Sequence, residues 1–408
     1  MSLYSLKNAG GGVQSWASTL TLFPGNGDVS LLFNLYDSAG DVTLLGSNTI
    51  PTLKDGPEKV VRYGGLTLGD GATATSLTAS QRCKGLVILC DSLTVKANAT
   101  LHMTARGARV DRNDDPFFPF IDFVIPFQIV LGSSKIPYTH ALTEIKDGGF
   151  APWDQGTWQH HVAALYGFNL SVCLAGSVAL LSANGCGVGA TQSNASGSGA
   201  QSGVVGAVGT NGGMGGGGSG GTYVYSNANA TSGRGGSGCP YSGGSGSGSS
   251  VNGTQWGYGV QHGTGKNSSR FSGPGSGGGF LYYNATSFTE EPGACGGGGG
   301  AGNPPGAAGA GFGGVGGVGT GGKLTIISRG AVTVQSGGKI EANGIKGGDY
   351  GGGGSGGGHI SLISASAVSN SGTIQAAGGA GGDAIGICAG GAGGAGSVVT
   401  KTFTQMGW

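Results

Sequence analysis

Only 20 of the 96 glycines in this 408-residue chain precede Gly185; the remaining 76 make up about a third of the chain from that position onward. Glycine at that density cannot build a helical or side-chain core, because each one loses more backbone freedom on folding than any other residue. Two outcomes remain: a flexible Gly/Ser linker, or backbone packed directly on backbone. Strand-like segments such as KLTIIS (323–328) and HISLIS (359–364) interrupt the glycine runs, which favours packing.

Charged residues are 10% of the chain and the formal net charge is +1, which excludes electrostatic capture of nucleic acid as a main activity. Cys83, Cys90, Cys173, Cys186, Cys239, Cys295 and Cys388 are scattered and form no CxxC pair. Neither a disulfide scaffold nor a zinc module is expected, but buried thiols of a reducing cytoplasm. The opening residues MSLYSLKNAGGGVQSW lack a basic stretch followed by an apolar one. The expectation is synthesis in a cytoplasm without a signal peptide, and assembly into a particle there.

Short apolar segments between turn clusters, VSLLFNLYD and DVTLLGSNTI among them, predict a small antiparallel β domain over 1–84. A unit of paired short strands ending in an A-x-G step then recurs at 85–108, 168–190, 323–348 and 359–382, with SVVTKTFTQMGW as a truncated fifth copy. One such unit cannot bury its own apolar face, so successive units should stack as rungs of a β-solenoid-like structure interrupted by insertions. Within 85–190 the insertion 110–161 is rich in aromatics, including Phe117, Phe118, Trp153 and Trp158. It reads either as a hydrophobic subdomain closing one end or as an aromatic surface for a partner or glycan.

The glycine runs carry a three-residue beat: Phe312, Val315 and Val318 are each followed by two glycines, and Ala389, Ala392 and Ala395 repeat the spacing. Three residues per turn is the period of a polyproline II-type helix. The expected arrangement is therefore a scaffold of polyglycine II helices over 191–322, bonded neighbour to neighbour, followed by further β units and glycine runs over 323–408. Collagen is excluded, since the G-X-Y register never persists. The fold class is all-β throughout. Segments between the runs gather Tyr223, Tyr225, Trp256, Tyr258, His262, Tyr282, Tyr283 and Phe288 among Asn, Ser and Thr. That is the composition of adaptable binding loops, and these residues are the candidate binding residues. They read equally as a shield over the glycine layer.

Glycine-rich runs alternating with Tyr/Ser/Asn segments, after an N-terminal β region, resemble the tip adhesins of T-even-like bacteriophage long tail fibres. TLHMTARGA and KIEANGIKGGDYGGGGSGGG are similar to segments of related phage and prophage tail proteins. The resemblance implies a polyglycine II sandwich displaying loops that bind a bacterial surface receptor, an outer-membrane protein or a glycan. It further implies attachment to tail or fibre proteins through the N-terminal region, and a place in the virion tail. A homo-oligomer is compatible with it. The length, the aromatic insertion and the late β units depart from that family. Filament self-assembly is the alternative, and a polysaccharide depolymerase the third reading.

Motifs for chemistry are missing from the sequence. GTGKNSS is too short for a phosphate-binding loop, DRNDD (111–115) lacks the glycine and distal glutamate of a calcium loop, and His160 and His161 have no carboxylate cluster at ligand spacing. Glu290 and Glu291 are neighbours, while Glu341, Asp349 and Asp383 stand isolated in sequence, so no carboxylate pair for glycoside hydrolysis is evident. The expectation is a non-enzyme without catalytic residues, cofactor or metal, and without nucleic acid as partner.

Overall fold

A computed structural model of the chain describes residues 19–23, 28–34, 36–56, 58–109, 128–131, 134–136, 187–210, 213–238, 241–252, 262–264, 275, 279–284, 287–292, 299–307, 313–384 and 389–408. It consists mostly of strands in parallel sheets, with very little helix. The N-terminal part contains β1 (Thr19–Phe23), α1 (Ser30–Asn34), β2 (Val42–Leu44), β3 (Ser47–Ile50), β4 (Lys59–Arg62), β5 (Gly65–Leu68), β6 (Thr75–Ala79), β7 (Leu86–Cys90), β8 (Ser92–Val95) and β9 (Ala99–His102). A small sheet joins β1 to β10 (Gln128–Leu131) and β11 (Ser134–Ile136). The middle of the chain supplies β12 (Asn194–Gln201), β13 (Thr222–Thr231), β14 (Ser250–Asn252), β15 (His262–Thr264), β16 (Gly279–Asn284) and β17 (Ser287–Pro292). Last come β18 (Lys323–Ser328), β19 (Val332–Val334), β20 (Lys339–Glu341), β21 (His359–Ser364), β22 (Ser369–Asn370), β23 (Thr373–Gln375), β24 (Ser397–Thr402) and α2 (Phe403–Met406).

Three five-stranded parallel sheets form a stack, ordered β4-β7-β18-β21-β24, β2-β5-β8-β19-β22 and β3-β6-β9-β20-β23. Each coil of chain gives one strand to each sheet, so like strands of successive coils lie side by side and parallel. The antiparallel domain expected over 1–84 is thus corrected. β2 to β6 pair in parallel, and they belong to the same sheets as β7 to β9, with no break at residue 84. The corners between sheets use the same residues as hairpin turns. Asn98 (φ 57°) and Gly337 (φ 79°) occupy stacked corners in the left-handed region, so sequence alone could not distinguish a corner from a hairpin.

Alternation fixes which side chains enter the core. Leu66 and Leu68, Leu93 and Val95, Val332 and Val334 point inward from one sheet; Leu77, Leu101 and Ile340 do so from a second, and Leu86, Ile88, Leu324, Ile326, Ile360 and Leu362 from the third. That third sheet is buried on both faces along β7, β18 and β21, which read as continuous apolar or hydroxyl-rich runs. Beside it, Leu32 and Phe33 of α1 are fully buried, and the guanidinium groups of Arg62 and Arg329 lie 5.7 and 4.7 Å from the Phe33 ring centre. α2 directly follows β24, the last strand of that sheet. A reciprocal Thr402–Gln405 capping box opens the helix, Gly407 (φ 71°) closes it, and Phe403 and Trp408 are buried with ring centres 6.1 Å apart.

The chain leaves the stack after β9 and rejoins it at β18, in register: Leu324 pairs with Leu86 and Lys339 with Thr100. The two ends of this excursion meet where Gly107 N–H donates to Thr320 O (3.0 Å), and Asn303 Nδ2 donates to Gly107 O (3.1 Å) and Thr320 Oγ1 (3.0 Å). One ion pair is buried at the stack's junction with the glycine runs, Lys323 Nζ to Glu58 Oε1 at 3.3 Å, with side chains 1% and 6% exposed. Next in register, His359 is fully buried. Its Nδ1 lies 2.9 Å from Ser397 Oγ and its Nε2 2.7 Å from Ser361 Oγ. Burial, and then the Lys323 charge, push its pKa down to about 3, so the ring is neutral. Cys83 and Cys90 are free and buried, and burial raises their thiols to about 11 and about 12.

Candidate functional site at the far end of the glycine array

Between the strands the glycine runs form an array held by main-chain hydrogen bonds with a three-residue period. In the run 213–221, Gly215, Gly218 and Gly221 donate to Gly357, Gly354 and Gly351 at 2.9, 2.9 and 2.8 Å. Gly216 and Ser219 donate to Ala207 and Val204, and Gly217 donates to Gly236. The same run accepts from Gly244, Ser247 and Ser250, from Gly391 and Gly394, and from Gly187 and Ala190. Six neighbouring runs thus surround it. The run 351–358 is surrounded in the same way by runs around 215, 244, 301, 345, 379 and 391. Direction rotates by a third of a turn per residue, and every third bond returns to the same neighbour.

Such packing leaves no room for side chains. A Cβ on Gly356 would lie 1.9 Å from Gly215 O, and one on Gly216 2.1 Å from Val188 O. Where a carbonyl does not meet an N–H, a serine hydroxyl takes its place: Ser247 Oγ accepts from Gly220 (2.9 Å), and Ser355 Oγ accepts from Ile345 (2.8 Å). Each bond contributes about 1 kcal/mol net, and ordering each residue costs about as much, so only the whole array is stable.

The course of the chain distinguishes two ends of the array. The runs 313–322 and 351–358 enter β18 and β21, the runs 342–350 and 376–383 leave β20 and β23, and 389–396 enters β24. That end is welded to the stack, and Ser397 Oγ donates to Gly213 O there at 2.8 Å. The far end is marked by Gly221 donating to Gly351 O (2.8 Å), Ser250 to Gly221 O (3.0 Å), Tyr350 to Asp383 O (3.0 Å) and Ser232 to Ser193 O (2.9 Å). From it continues the sheet β12-β13-β14-β16-β17, with β15 on β13.

The receptor-binding candidates fall on or between the strands of that sheet. Tyr223, half-buried, stands opposite Ala200 and Val251, and Tyr225 follows in the irregular stretch of β13. His262 stands opposite Asn229, Tyr282 opposite Thr289, and Tyr283 opposite Phe288. Read from sequence as loops, these segments are strands in their backbone; the polar and glycine-rich sequence around the aromatics hid the pairing. Trp256 and Tyr258 lie outside the described residues, as do Phe117, Phe118, Trp153, Trp158, Phe312, the DRNDD segment, His160 and His161. The unit at 168–190 is outside them as well except for 187–190, which belongs to the array.

Two carboxylates isolated in sequence come together at the far end. Lys346 Nζ binds Asp349 Oδ1 at 3.0 Å and also Asp383 Oδ2, and the hydrogen bonds to Asp383 and then Asp349 raise the lysine's pKa. Tyr350 beside them has φ 66°, unusual for a bulky residue, and its carbonyl accepts from Ser249 Oγ at 2.7 Å. Glu341, also isolated in sequence, accepts from Gln375 Nε2 at 3.0 Å on β23. The only sequence signal for the Lys346 cluster was that 344–350 and 377–383 share the triplet beat, which sets like positions side by side. Among the described residues no group of three or more His, Cys, Asp or Glu side chains could hold a metal ion, and no helix is long and apolar enough to cross a membrane. No family model, curated protein or solved structure matches the chain.

Proposed function

We propose that this chain is a non-enzymatic receptor-binding protein of a bacteriophage tail or tail fibre, carried in the virion. The parallel strand stack is read as a β-solenoid that joins the protein to its particle, and the glycine array as a polyglycine II lattice that presents a recognition surface to the host envelope. The observation that carries this reading is the polarity of the array. One end is fused to the strand stack, and the other bears the sheet with Tyr223, Tyr225, His262, Tyr282, Tyr283 and Phe288. A rigid backbone lattice with its Tyr-, Ser- and Asn-rich segments at one end suits recognition of a protein or glycan surface.

Filament self-assembly is less well supported. Continuing the sheet from β24 onto β4 of another copy in the same register would set Lys401 beside Arg62, since Lys401, Ile363, Ile327, Leu89 and Arg62 form one row. Like charges at the two edge strands oppose growth.

Binding of the purified full chain to a panel of bacterial cells, and to their outer-membrane proteins and surface glycans, tests the proposal. The expected result is saturable binding to one envelope fraction. The triple substitution Tyr223→Ala, His262→Ala, Tyr283→Ala should weaken it at least tenfold, and Thr43→Ala on the stack should leave it unchanged. Failure to bind any envelope fraction would overturn the reading, and release of reducing ends from a host capsule would replace it with a depolymerase.

A further inference from the structure

The outermost runs of the array differ in composition from the innermost. In the two runs with six neighbours, 213–221 and 351–358, the only residues besides glycine are Met214, Ser219 and Ser355, all fully buried. In the edge run 203–209, Gly203, Gly206 and Gly209 donate to Ala389, Ala392 and Ala395 at 2.9, 3.0 and 2.7 Å, and the Val204 and Ala207 carbonyls accept from Ser219 and Gly216. The remaining third of the positions holds Val205 and Val208, each 60% exposed. On the other side of the array, in the edge run 313–319, Gly314 and Gly317 donate inward to Asp349 and Lys346, and Val315 and Val318 are 63% and 64% exposed. Both of these edge runs thus place β-branched side chains at the outward position of the triplet.

A further glycine run could join either edge only by bringing its backbone to hydrogen-bonding distance. Inside the array that spacing puts a neighbour's carbonyl oxygen where a Cβ would be, as at Gly356 and Gly216. A valine at the outward position holds any newcomer at side-chain distance and leaves the edge main chain to water. We propose that Val205, Val208, Val315 and Val318 are edge guards, which confine the lattice to one chain by excluding the glycine runs of a second copy. Edge strands of β-sheets are blunted on the same principle, by side chains that spoil the docking of another strand. The inference rests on the lattice hydrogen bonds and not on receptor binding, so the two stand or fall separately.

Sedimentation velocity of the full chain, from low to high micromolar concentration, tests it. The Val205→Gly/Val208→Gly variant should show a concentration-dependent mass reaching at least twice that of the unaltered protein at the highest concentration. Val205→Thr/Val208→Thr keeps the branched shape while losing apolar surface, and should sediment like the unaltered protein. Should the glycine pair at this edge unfold, Val315→Gly/Val318→Gly makes the same test at the other. Glycine variants that stay at the unaltered mass would overturn the proposal. So would a threonine variant that associates as strongly as the glycine one, or an unaltered protein whose self-association falls on substitution.

Discussion

Gly356→Ala places one methyl group at the centre of the array and measures how tightly the lattice is built. The added Cβ would sit 1.9 Å from Gly215 O and 2.5 Å from its carbonyl carbon, whereas ordinary van der Waals contact begins near 3.4 Å. The runs 351–358 and 213–221 must therefore separate by about 1.5 Å, more than packed interiors absorb without rearrangement. Three hydrogen bonds join them, from Gly215, Gly218 and Gly221, at 2.8 to 2.9 Å. Lengthened by that amount they cease to be hydrogen bonds, and each buried pair left unmet costs about 1–3 kcal/mol. The chain-entropy benefit of alanine over glycine returns only about 0.4–1 kcal/mol. A net destabilisation of at least roughly 2 kcal/mol is expected, read as a lower denaturation midpoint, with faster amide exchange at Gly215, Gly218 and Gly221. Val315→Ala is the control. With Val315 63% exposed, the change should stay within about 0.5 kcal/mol. Unchanged stability and exchange in Gly356→Ala would refute backbone-on-backbone packing here.

Lys323→Met removes the ammonium from the buried Glu58 carboxylate and should destabilise by about 3–5 kcal/mol in denaturant titrations; adding Glu58→Gln should recover most of the loss. His359 has its pKa depressed from 6.5 to about 3, so between those values the unfolded chain binds a proton that the folded chain excludes. Stability should therefore fall as pH drops through that window, and His359→Gln should flatten the slope measured by denaturation at a series of pH values. Cys83 and Cys90, raised to about 11 and about 12, should resist thiol reagents at pH 8 in the folded protein and react fully in denaturant, as peptide mapping after labelling would show.

The sequence by itself determined what each residue can do locally. The short apolar and hydroxyl-rich segments KLTIIS and HISLIS marked the strands β18 and β21, and the recurrence of that unit at 85–108 and 359–382 marked rungs of one stack. Triplet spacing set Val315 and Val318 on one edge of their run, with Gly314, Gly316 and Gly317 against neighbouring segments; that this edge faces solvent came only from the structure. These features were legible because side-chain polarity and the missing Cβ of glycine act over a few residues. Tertiary structure decided who the neighbours are. Parallel pairing of β2 to β6, the seating of Leu324 beside Leu86 and the meeting of Asp349 and Asp383 on Lys346 depend on chain segments far apart in sequence. The same holds for the far end of the array, where strands replace the expected loops around Tyr223 and Tyr283. The physical reason lies in the glycine backbone. Its N–H and C=O groups are identical at every position, so composition allows the lattice, but only the folded course of the chain determines which runs lie side by side and which end faces outward.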